Sequence, residues 1–345
     1  MAERGMVKVM KKIRALLISA LFLVSALILS GCSSEARESF FAMNTFMNFT
    51  VCGETPEAAL EKTRETVTEL EGLWSVTDSG SDIYRINHSA GQPVTIDERT
   101  AALISFALDM AEKTEGTLNP AIYPVLKAWG FTTGENRIPS PEELSALLPL
   151  TDYEQVQLSG CMVTLPEGMM LDFGAVAKGY TGDILTEQLK ADGVSSALLD
   201  IGGNIQAVGT RPDGECWRIG LRDPFSDGIL GTLQISDLAV VTSGNYERYF
   251  IGEDGNNYGH IIDPESGYPA DNGLMSVTII GKSGAYCDAL STALFVMGYD
   301  RAVRYWSEAR DFEMIIVCAD GSVALTEGAE KLFISEGEYE ITVLK

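Results

Sequence analysis

An apolar segment that leads directly into a turn of small residues constrains the fold of this chain more than any other stretch. The residues from Met169 to Gly179 read Met-Met-Leu-Asp-Phe-Gly-Ala-Val-Ala-Lys-Gly, and an amphipathic run follows them. This pattern predicts a strand, a tight turn and a helix from about Ala175 to Leu189. Backbone N–H groups at such a helix N-terminus can hold an anion. A tight connection without a ligand has the same spacing, so the segment alone does not identify a site.

The N-terminus resembles a bacterial lipoprotein signal. Four basic residues between Lys8 and Arg14 precede an uncharged apolar run from Ala15 to Leu29, which is short for a membrane-spanning helix but suits a secretory signal. The run continues into Ser-Gly-Cys32. We therefore expect residues 1–31 to be removed, Cys32 to be lipidated, and residues 32–39 to tether the protein outside the cytoplasm. An uncleaved signal anchor with an ordinary Cys32 thiol is the alternative.

The charge of the chain excludes several classes of partner. Its formal net charge is −24 at pH 7, and removal of the basic leader makes it more negative. Such a protein repels nucleic acid and anionic lipid surfaces, so we expect no nucleic-acid partner. A ligand that carries phosphate would need backbone N–H groups, a lysine or a divalent cation to offset this field. The cysteines after Cys32 are scattered singly, which argues against a disulfide framework or a zinc site.

The order of predicted elements indicates an α+β fold with mixed, largely antiparallel sheets and packed helices. A strand is expected from Phe40 to Cys52, and Thr55-Pro56 begins a helix with a cap and a proline at its first position. Hairpins and helices then alternate without an internal repeat. Strands joined by hairpins argue against a doubly wound parallel sheet. Residues 40–345 are long enough for one large domain.

A predicted helix from Ala285 to Met297 carries a candidate metal site. Asp288, Ser291 and Thr292 are spaced at i, i+3 and i+4, so they share one side of the helix. A short set of oxygen ligands suits Mg²⁺, which keeps several waters and shares phosphate oxygens. The alternative is structural, with Asp288 favoured in the first turn and Thr292 hydrogen-bonded to the Asp288 carbonyl.

His260 is the candidate for acid–base chemistry. It is one of two histidines in the chain, and it stands at the end of an apolar strand before an Asp263-Pro264 turn. A serine or cysteine nucleophile motif is absent from the sequence, which argues against a triad hydrolase. Histidine is the side chain that titrates nearest neutral pH, although a structural role fits this position too.

Five segments occur together in an order that resembles the ApbE-type FAD:protein FMN transferases. With the lipoprotein signal, the likeness covers nearly all of the chain after residue 31 and implies a single T-fold-like catalytic domain over residues 40–345. The segments are Met43-Asn-Thr, Leu171-Asp-Phe-Gly-Ala-Val-Ala-Lys-Gly-Tyr180, Asp200-Ile-Gly-Gly-Asn204, His260-Ile-Ile-Asp-Pro264 and Asp288-Ala-Leu-Ser-Thr292.

The resemblance implies a magnesium-dependent enzyme outside the cytoplasm. It would split FAD, attach FMN to a threonine or serine of an acceptor protein, and release AMP; the implied acceptor is an electron-transport subunit with an FMN-binding domain. His260 would lie near the phosphates as the base. The implied metal ligands are the Ala177 carbonyl, Asp288 and Thr292, with the Ser291 carbonyl nearby. The implied FAD contacts are Met43, Thr77, Asn119, Gly174, Lys178, Tyr180 and Ile262.

Departures from the family pattern and two other functions stay open at this point. The family often has aspartate at the position of Asn119 and an aromatic residue near Thr77, where Trp74 could substitute, and Asn245 replaces an aspartate. An FAD pyrophosphatase, in which water replaces the acceptor hydroxyl, has the same motifs. A non-catalytic flavin-binding lipoprotein is the second alternative, although the two similar lobes of solute-binding proteins are not evident in the sequence.

Overall fold

The computed structural model describes residues 34–345, in which strands alternate with helices as expected for an α+β protein. The predicted signal and Cys32 lie outside the described residues. Residues Glu35–Lys345 form one compact unit. Among the described residues, the helices are all too short or too polar to cross a membrane.

The strands belong to one large sheet and three small ones. Strands β2 to β15 of the large sheet pair in antiparallel fashion, and β15 and β17 pair in parallel. The large sheet, in spatial order, contains β1 (Ser34–Ala42), β2 (Thr45–Gly53), β6 (Ser196–Ile201), β7 (Asn204–Val208), β10 (Ala239–Gly244), β13 (Leu274–Gly281), β14 (Glu313–Cys318), β15 (Val323–Thr326) and β17 (Ile341–Leu344). The small sheets are β16 (Phe333–Ser335) with β9 (Ile229–Ile235) and β8 (Trp217–Arg222), β3 (Val94–Thr95) with β5 (Met162–Thr164) and β4 (Gln157–Ser159), and β11 (Tyr249–Ile251) with β12 (Asn257–Gly259).

The helices connect these strands and end at positions close to those that the sequence predicts. The α-helices are α1 (Pro56–Trp74), α2 (Asp82–Asn87), α3 (Glu98–Lys113), α4 (Tyr123–Trp129), α5 (Pro141–Leu147), α6 (Ala177–Ala191), α7 (Gly284–Met297), α8 (Tyr299–Ala309) and α9 (Glu327–Leu332), and 3₁₀ turns follow α5 at Leu148–Thr151 and Tyr153–Gln155.

The large sheet separates two hydrophobic cores, and strand alternation explains why. On β10, Val241 packs in the same core as Leu290 of α7, whereas Val240 packs with Ile219 of β8. Successive strand residues point to opposite faces, so one face is covered by helices and the other by the β8–β9 sheet. The last three residues of β10, Thr242–Gly244, line the site described below.

The N-terminal segment differs from the sequence prediction in three respects. Residues 34–39, expected within the tether, form the first part of β1, and the strand expected from Phe40 to Cys52 is two strands. They are separated at Met43 and Asn44, whose φ angles of 49° and 58° make a hairpin turn without glycine, and such turns are usually recognised by their glycine. Pro56 begins α1 as predicted, but Thr55 makes no capping hydrogen bond with its side chain.

Candidate active site

All but two of the predicted site residues of the described chain line a single cleft of about 1210 Å³. A volume of this size exceeds that of most small-ligand pockets and is large enough for a dinucleotide. The cleft also reaches the β8–β9 face of the large sheet. The predicted residues that line it are Met43, Thr77, Asn119, Gly174, Ala177, Lys178, His260, Ile262, Asp288 and Thr292.

Tyr180 and Ser291 are absent from the residues that line the cleft, and they support its wall instead. The Tyr180 ring packs edge-on against Trp74, with the ring centroids 6.0 Å apart, and Trp74 does line the cleft. Ser291 is fully buried, and its hydroxyl donates to the Asp288 carbonyl at 2.9 Å. Trp74, considered above as a substitute for the aromatic residue missing near Thr77, thus lines the cleft, with Tyr180 packed against it.

Helices α6 and α7 each provide a carboxylate to the N-terminus of the other. The Gly179 N–H donates to Asp288 Oδ2 at 2.8 Å, and the Gly284 N–H donates to Asp183 Oδ1 at 2.6 Å. Anionic groups are stabilised at helix N-termini, so the two helices hold each other in register. A Cβ on Gly179 would overlap the Gly284 carbonyl oxygen and lie 2.6 Å from the Asp288 Cβ, which explains the glycine.

The contacts of Asp288 and Thr292 differ from the structural alternative, in which Asp288 stabilises its own helix and Thr292 bonds to the Asp288 carbonyl. Asp288 caps α6 rather than the first turn of its own helix. Its carbonyl accepts the hydroxyl of Ser291, while Thr292 Oγ1 lies 3.2 Å from Ser243 Oγ. The carboxylate and the threonine hydroxyl are therefore both directed away from the backbone of α7.

The oxygen atoms of Asp288, Thr292 and Ala177 at the cleft suit a hard cation, although they do not form a cluster of acidic side chains. Within residues 34–345, no group of three or more His, Cys, Asp or Glu side chains is arranged to hold a metal ion. Asp288 is 3% exposed, and Lys178 Nζ lies 3.9 Å from its Oδ1, beyond hydrogen-bond distance. Asp288 Oδ1, Thr292 Oγ1 and the Ala177 carbonyl are all oxygen donors of the kind that Mg²⁺ binds. The residues present thus fit Mg²⁺ with a single anionic ligand.

His260 lines the cleft as a neutral imidazole. Its Nδ1 lies 3.0 Å from the Arg248 carbonyl, and its backbone N–H donates to the same oxygen at 3.0 Å. A carbonyl accepts only, so Nδ1 carries the proton and Nε2 is left as the acceptor. Burial lowers the pKa of His260 to about 4, which keeps the ring uncharged at neutral pH.

Two residues that sequence reasoning left out hold the turn before α6. The Gly174 N–H donates to Asp172 Oδ1 at 2.9 Å, and burial raises the pKa of Asp172, which also lines the cleft. Asn87 donates to the Leu171 carbonyl at 2.8 Å and accepts from the Leu171 N–H at 2.7 Å. Asp172 lies inside the family segment and could have been found there. Asn87 is 84 residues away from its partner, and no local pattern indicates it.

The remaining predicted contacts carry local restraints of their own. The Asn119 side chain donates to the Thr151 carbonyl at 2.9 Å and accepts from the Ala121 N–H at 2.8 Å. The Met43 N–H donates to Glu71 Oε1 at 2.8 Å, which holds the left-handed turn between β1 and β2 at the cleft. These bonds fix the cleft before any ligand binds.

Comparison with known proteins gives consistent relatives. The family model described as the ApbE family matches residues 43–316. A protein named FAD:protein FMN transferase from Treponema pallidum is 36% identical to this chain, and the match covers 79% of this chain and 80% of the relative. A protein of the same name from Klebsiella pneumoniae is also 36% identical, and that match covers 78% of this chain and 85% of the relative. The crystal structure of the ApbE protein from Thermotoga maritima superposes with a TM-score of 0.81 at 33% identity, covering 87% of this chain and 99% of that one. The Pseudomonas stutzeri flavinyl transferase ApbE gives a TM-score of 0.79 at 29% identity, covering 87% and 97%.

Proposed function

The chain belongs to the ApbE family, and we propose that this enzyme transfers FMN from FAD to a threonine or serine hydroxyl of an acceptor protein, with release of AMP. The observation that carries the proposal is the convergence of His260, Lys178, Asp288 and Thr292 on one cleft of dinucleotide size. The relatives named FAD:protein FMN transferase support FAD as the substrate and a protein as the acceptor.

The reaction is a single displacement at phosphorus. The acceptor hydroxyl oxygen attacks the phosphorus on the FMN side of FAD, and the bond from that phosphorus to the bridging oxygen breaks. AMP leaves with the electron pair of that bond. Because Nε2 of His260 is unprotonated, it can accept the hydroxyl proton as the new phosphoester forms.

Cationic groups are needed because the pyrophosphate is anionic and the protein is strongly acidic. Lys178 Nζ donates to the Gly174 carbonyl at 3.2 Å, so its ammonium group is held beside the turn that lines the cleft. Mg²⁺, held by Asp288, Thr292 and the Ala177 carbonyl, would neutralise charge that develops on the phosphate oxygens. Gly174 lacks a side chain, which lets a phosphate approach the backbone closely.

The decisive experiment separates transfer from hydrolysis and from binding alone. The purified protein is incubated with FAD, Mg²⁺ and the FMN-binding domain of an electron-transport subunit from the same organism. Flavin fluorescence that stays with the denatured acceptor, together with one AMP per flavin, is the expected result. Free FMN with AMP identifies a pyrophosphatase, and absence of AMP identifies a flavin-binding protein; either outcome overturns the transferase proposal.

Asp288→Asn tests the Mg²⁺ assignment in the same assay. The amide oxygen can still accept from the Gly179 N–H, so the helix contact survives while the anionic ligand is lost. We expect FAD affinity in Mg²⁺ to fall about tenfold or more and transfer to be lost, with EDTA reducing the wild type to the same level. Asp300→Asn, at an exposed position at the start of α8, is the matched control. Transfer that EDTA leaves unchanged would exclude the metal.

We further propose that Cys32 carries a lipid and that the enzyme acts at the outer face of a membrane. The support is the signal-like sequence before Cys32. Growth with labelled palmitate should label the wild-type protein and leave Cys32→Ala unlabelled and released from membranes. Labelling of the Cys32→Ala protein would contradict this assignment.

A further inference from the structure

Strand β10 has one edge that is only partly paired. Strand β13 pairs with all six residues Ala239–Gly244, whereas β7 pairs only with Ala239 and Val240. The pairing stops because β7 begins at Asn204, directly after the tight turn from β6. The second half of β10 is therefore left, on this side, without a neighbouring strand among the described residues.

The alternation of hydrogen bonds identifies Thr242 as the residue whose backbone faces the open side. The Leu238 carbonyl accepts from the Ala207 N–H of β7 at 3.0 Å. Successive residues of an antiparallel strand direct their backbone groups to opposite sides, so Thr242 and Gly244 face the same way as Leu238. Among residues 34–345, no backbone group is hydrogen-bonded to the Thr242 backbone on that side. The unpaired backbone of Thr242 is thus a template for another strand.

The open edge adjoins the reacting groups. Ser243 points to the α7 side of the sheet, where its Oγ lies 3.2 Å from Thr292 Oγ1. Thr242 points to the other face, where its Oγ1 lies 2.8 Å from Thr278 Oγ1. These residues all line the cleft together with Asp288. A chain lying along this edge would send alternate side chains toward Thr292.

Asn204 is a second, independent indication of a missing partner. Its side chain is 6% exposed and lines the cleft at the position where the pairing of β7 with β10 ends. Its Nδ2 is buried and has no hydrogen-bond partner among the described residues. A buried donor without a partner costs about 1–3 kcal/mol, so a rotation of the Asn204 side chain that brings Nδ2 to an acceptor oxygen in the cleft would be favourable.

We propose that an extended segment of the acceptor protein adds to β10 as an antiparallel strand, with its hydroxyl residue opposite Ser243. This inference rests on the proposed transfer of FMN to a protein. A residue opposite Ser243 projects to the same face as Ser243, toward Thr292 and Asp288. The residues before and after it bond to the backbone of Thr242 and Gly244, and Asn204 donates to a carbonyl of the segment. Main-chain bonds of this kind position the hydroxyl with few demands on side chains.

Backbone methylation of the acceptor tests the register directly. The probe is a synthetic peptide of about 12 residues around the acceptor threonine of the FMN-binding domain, with single N-methyl groups. Methylation of the residue before or after the threonine removes a bond to β10 and should lower kcat/KM about tenfold. The threonine's own N–H points away from β10, so its methylation should change kcat/KM less than about threefold. Equal losses at the three positions, or the largest loss at the threonine, would overturn the proposal.

Asn204→Ala tests the same surface with the intact FMN-binding domain as the acceptor. We expect KM for the domain to rise about tenfold while FAD affinity stays within about twofold of the wild type. Asn48→Ala is the control, because Asn48 is exposed on β2 and bonded to Asp200. A wild type that transfers FMN while Asn204→Ala keeps its KM would exclude the docked strand alone. A wild type that releases no AMP would instead exclude the transfer on which the docking rests.

Discussion

Asn87, which holds the segment before the Gly174 turn, and Asn204, which lines the cleft, are equally buried, at 6% exposure, and differ in what they bond. Asn87 makes two hydrogen bonds to the backbone of Leu171, whereas Asn204 Nδ2 has no partner in the part of the chain that the structure describes. Asn87 belongs to a wall that is fixed from within, consisting of the turn from Leu171 to Lys178 and Asp288. Asn204 is the first residue of β7, beside the open edge of β10. The side chain of Asn87 is thus satisfied by its own wall, whereas Asn204 Nδ2 leaves a donor for the proposed acceptor segment.

Gly179→Ala should have the largest effect, because it breaks the fixed wall at its tightest point. A methyl group there overlaps the Gly284 carbonyl and forces α6 and α7 apart. We expect a loss of about 3 kcal/mol or more in the free energy of unfolding, measured by urea denaturation. Gly72→Ala in α1 is the control: no atom lies within 4 Å of the added Cβ, so helix propensity should stabilise the protein by about 0.5–1 kcal/mol. Equal stability of the two variants would contradict the close helix contact.

His260→Ala should lower transfer about 100-fold or more while FAD binding is kept, because the cleft then lacks its proton acceptor. His88→Ala is the matched control, since His88 is exposed and stacks on Tyr84. Loss of FAD binding equal to the loss of transfer would make His260 a structural residue.

The pH dependence sharpens the assignment of His260. Because the pKa of His260 is lowered to about 4, transfer should be level from about pH 6 to 8 and fall only as pH approaches 4. The unfolded chain binds the proton near about pH 6.5, so the stability contribution of this group is present above that pH and is lost as pH falls toward 4. An inflection of the transfer rate near 6.5 that is absent in His260→Ala would mean an exposed, ordinary histidine.

Asn87→Ala should have an intermediate effect, on stability and on the position of the turn. It leaves the Leu171 N–H and carbonyl buried without partners, at a cost of about 2–3 kcal/mol in the free energy of unfolding. We expect KM for FAD to rise as the wall loosens, measured by steady-state AMP release. A variant as stable as the wild type would show that the two bonds are not maintained in solution.

The local parts of the site could be predicted from the sequence, whereas its supports could not. The helix after the Gly174 turn and the spacing of Asp288 and Thr292 follow from short-range periodicity, and the structure confirms both elements. The Met43-Asn44 turn was missed because its left-handed residues are not glycines. The bonds of Asn87 depend on tertiary contact over 84 residues, and no single-sequence pattern encodes that.

The open edge was equally beyond prediction, because it depends on where β7 stops pairing. In the sequence, Gly202 and Gly203 indicate the end of the strand from Ser196 to Ile201, but they do not indicate β7, the strand beside it or how far that pairing extends. The fold class follows from element order, and the edge follows only from register.

Asn204→Ala should have the smallest effect on stability, and its comparison with Asn87→Ala tests the contrast between the two walls. Removing a buried donor that has no partner returns its desolvation cost, which offsets the packing lost with the side chain. We expect the free energy of unfolding to change by less than about 0.5 kcal/mol, against a loss of about 2–3 kcal/mol for Asn87→Ala. Both side chains have the same burial, so the difference measures hydrogen bonding rather than exposure. A loss for Asn204→Ala as large as that for Asn87→Ala would mean that Asn204 is bonded in the free enzyme, and only the backbone of Thr242 and Gly244 would then be left to bind an acceptor strand.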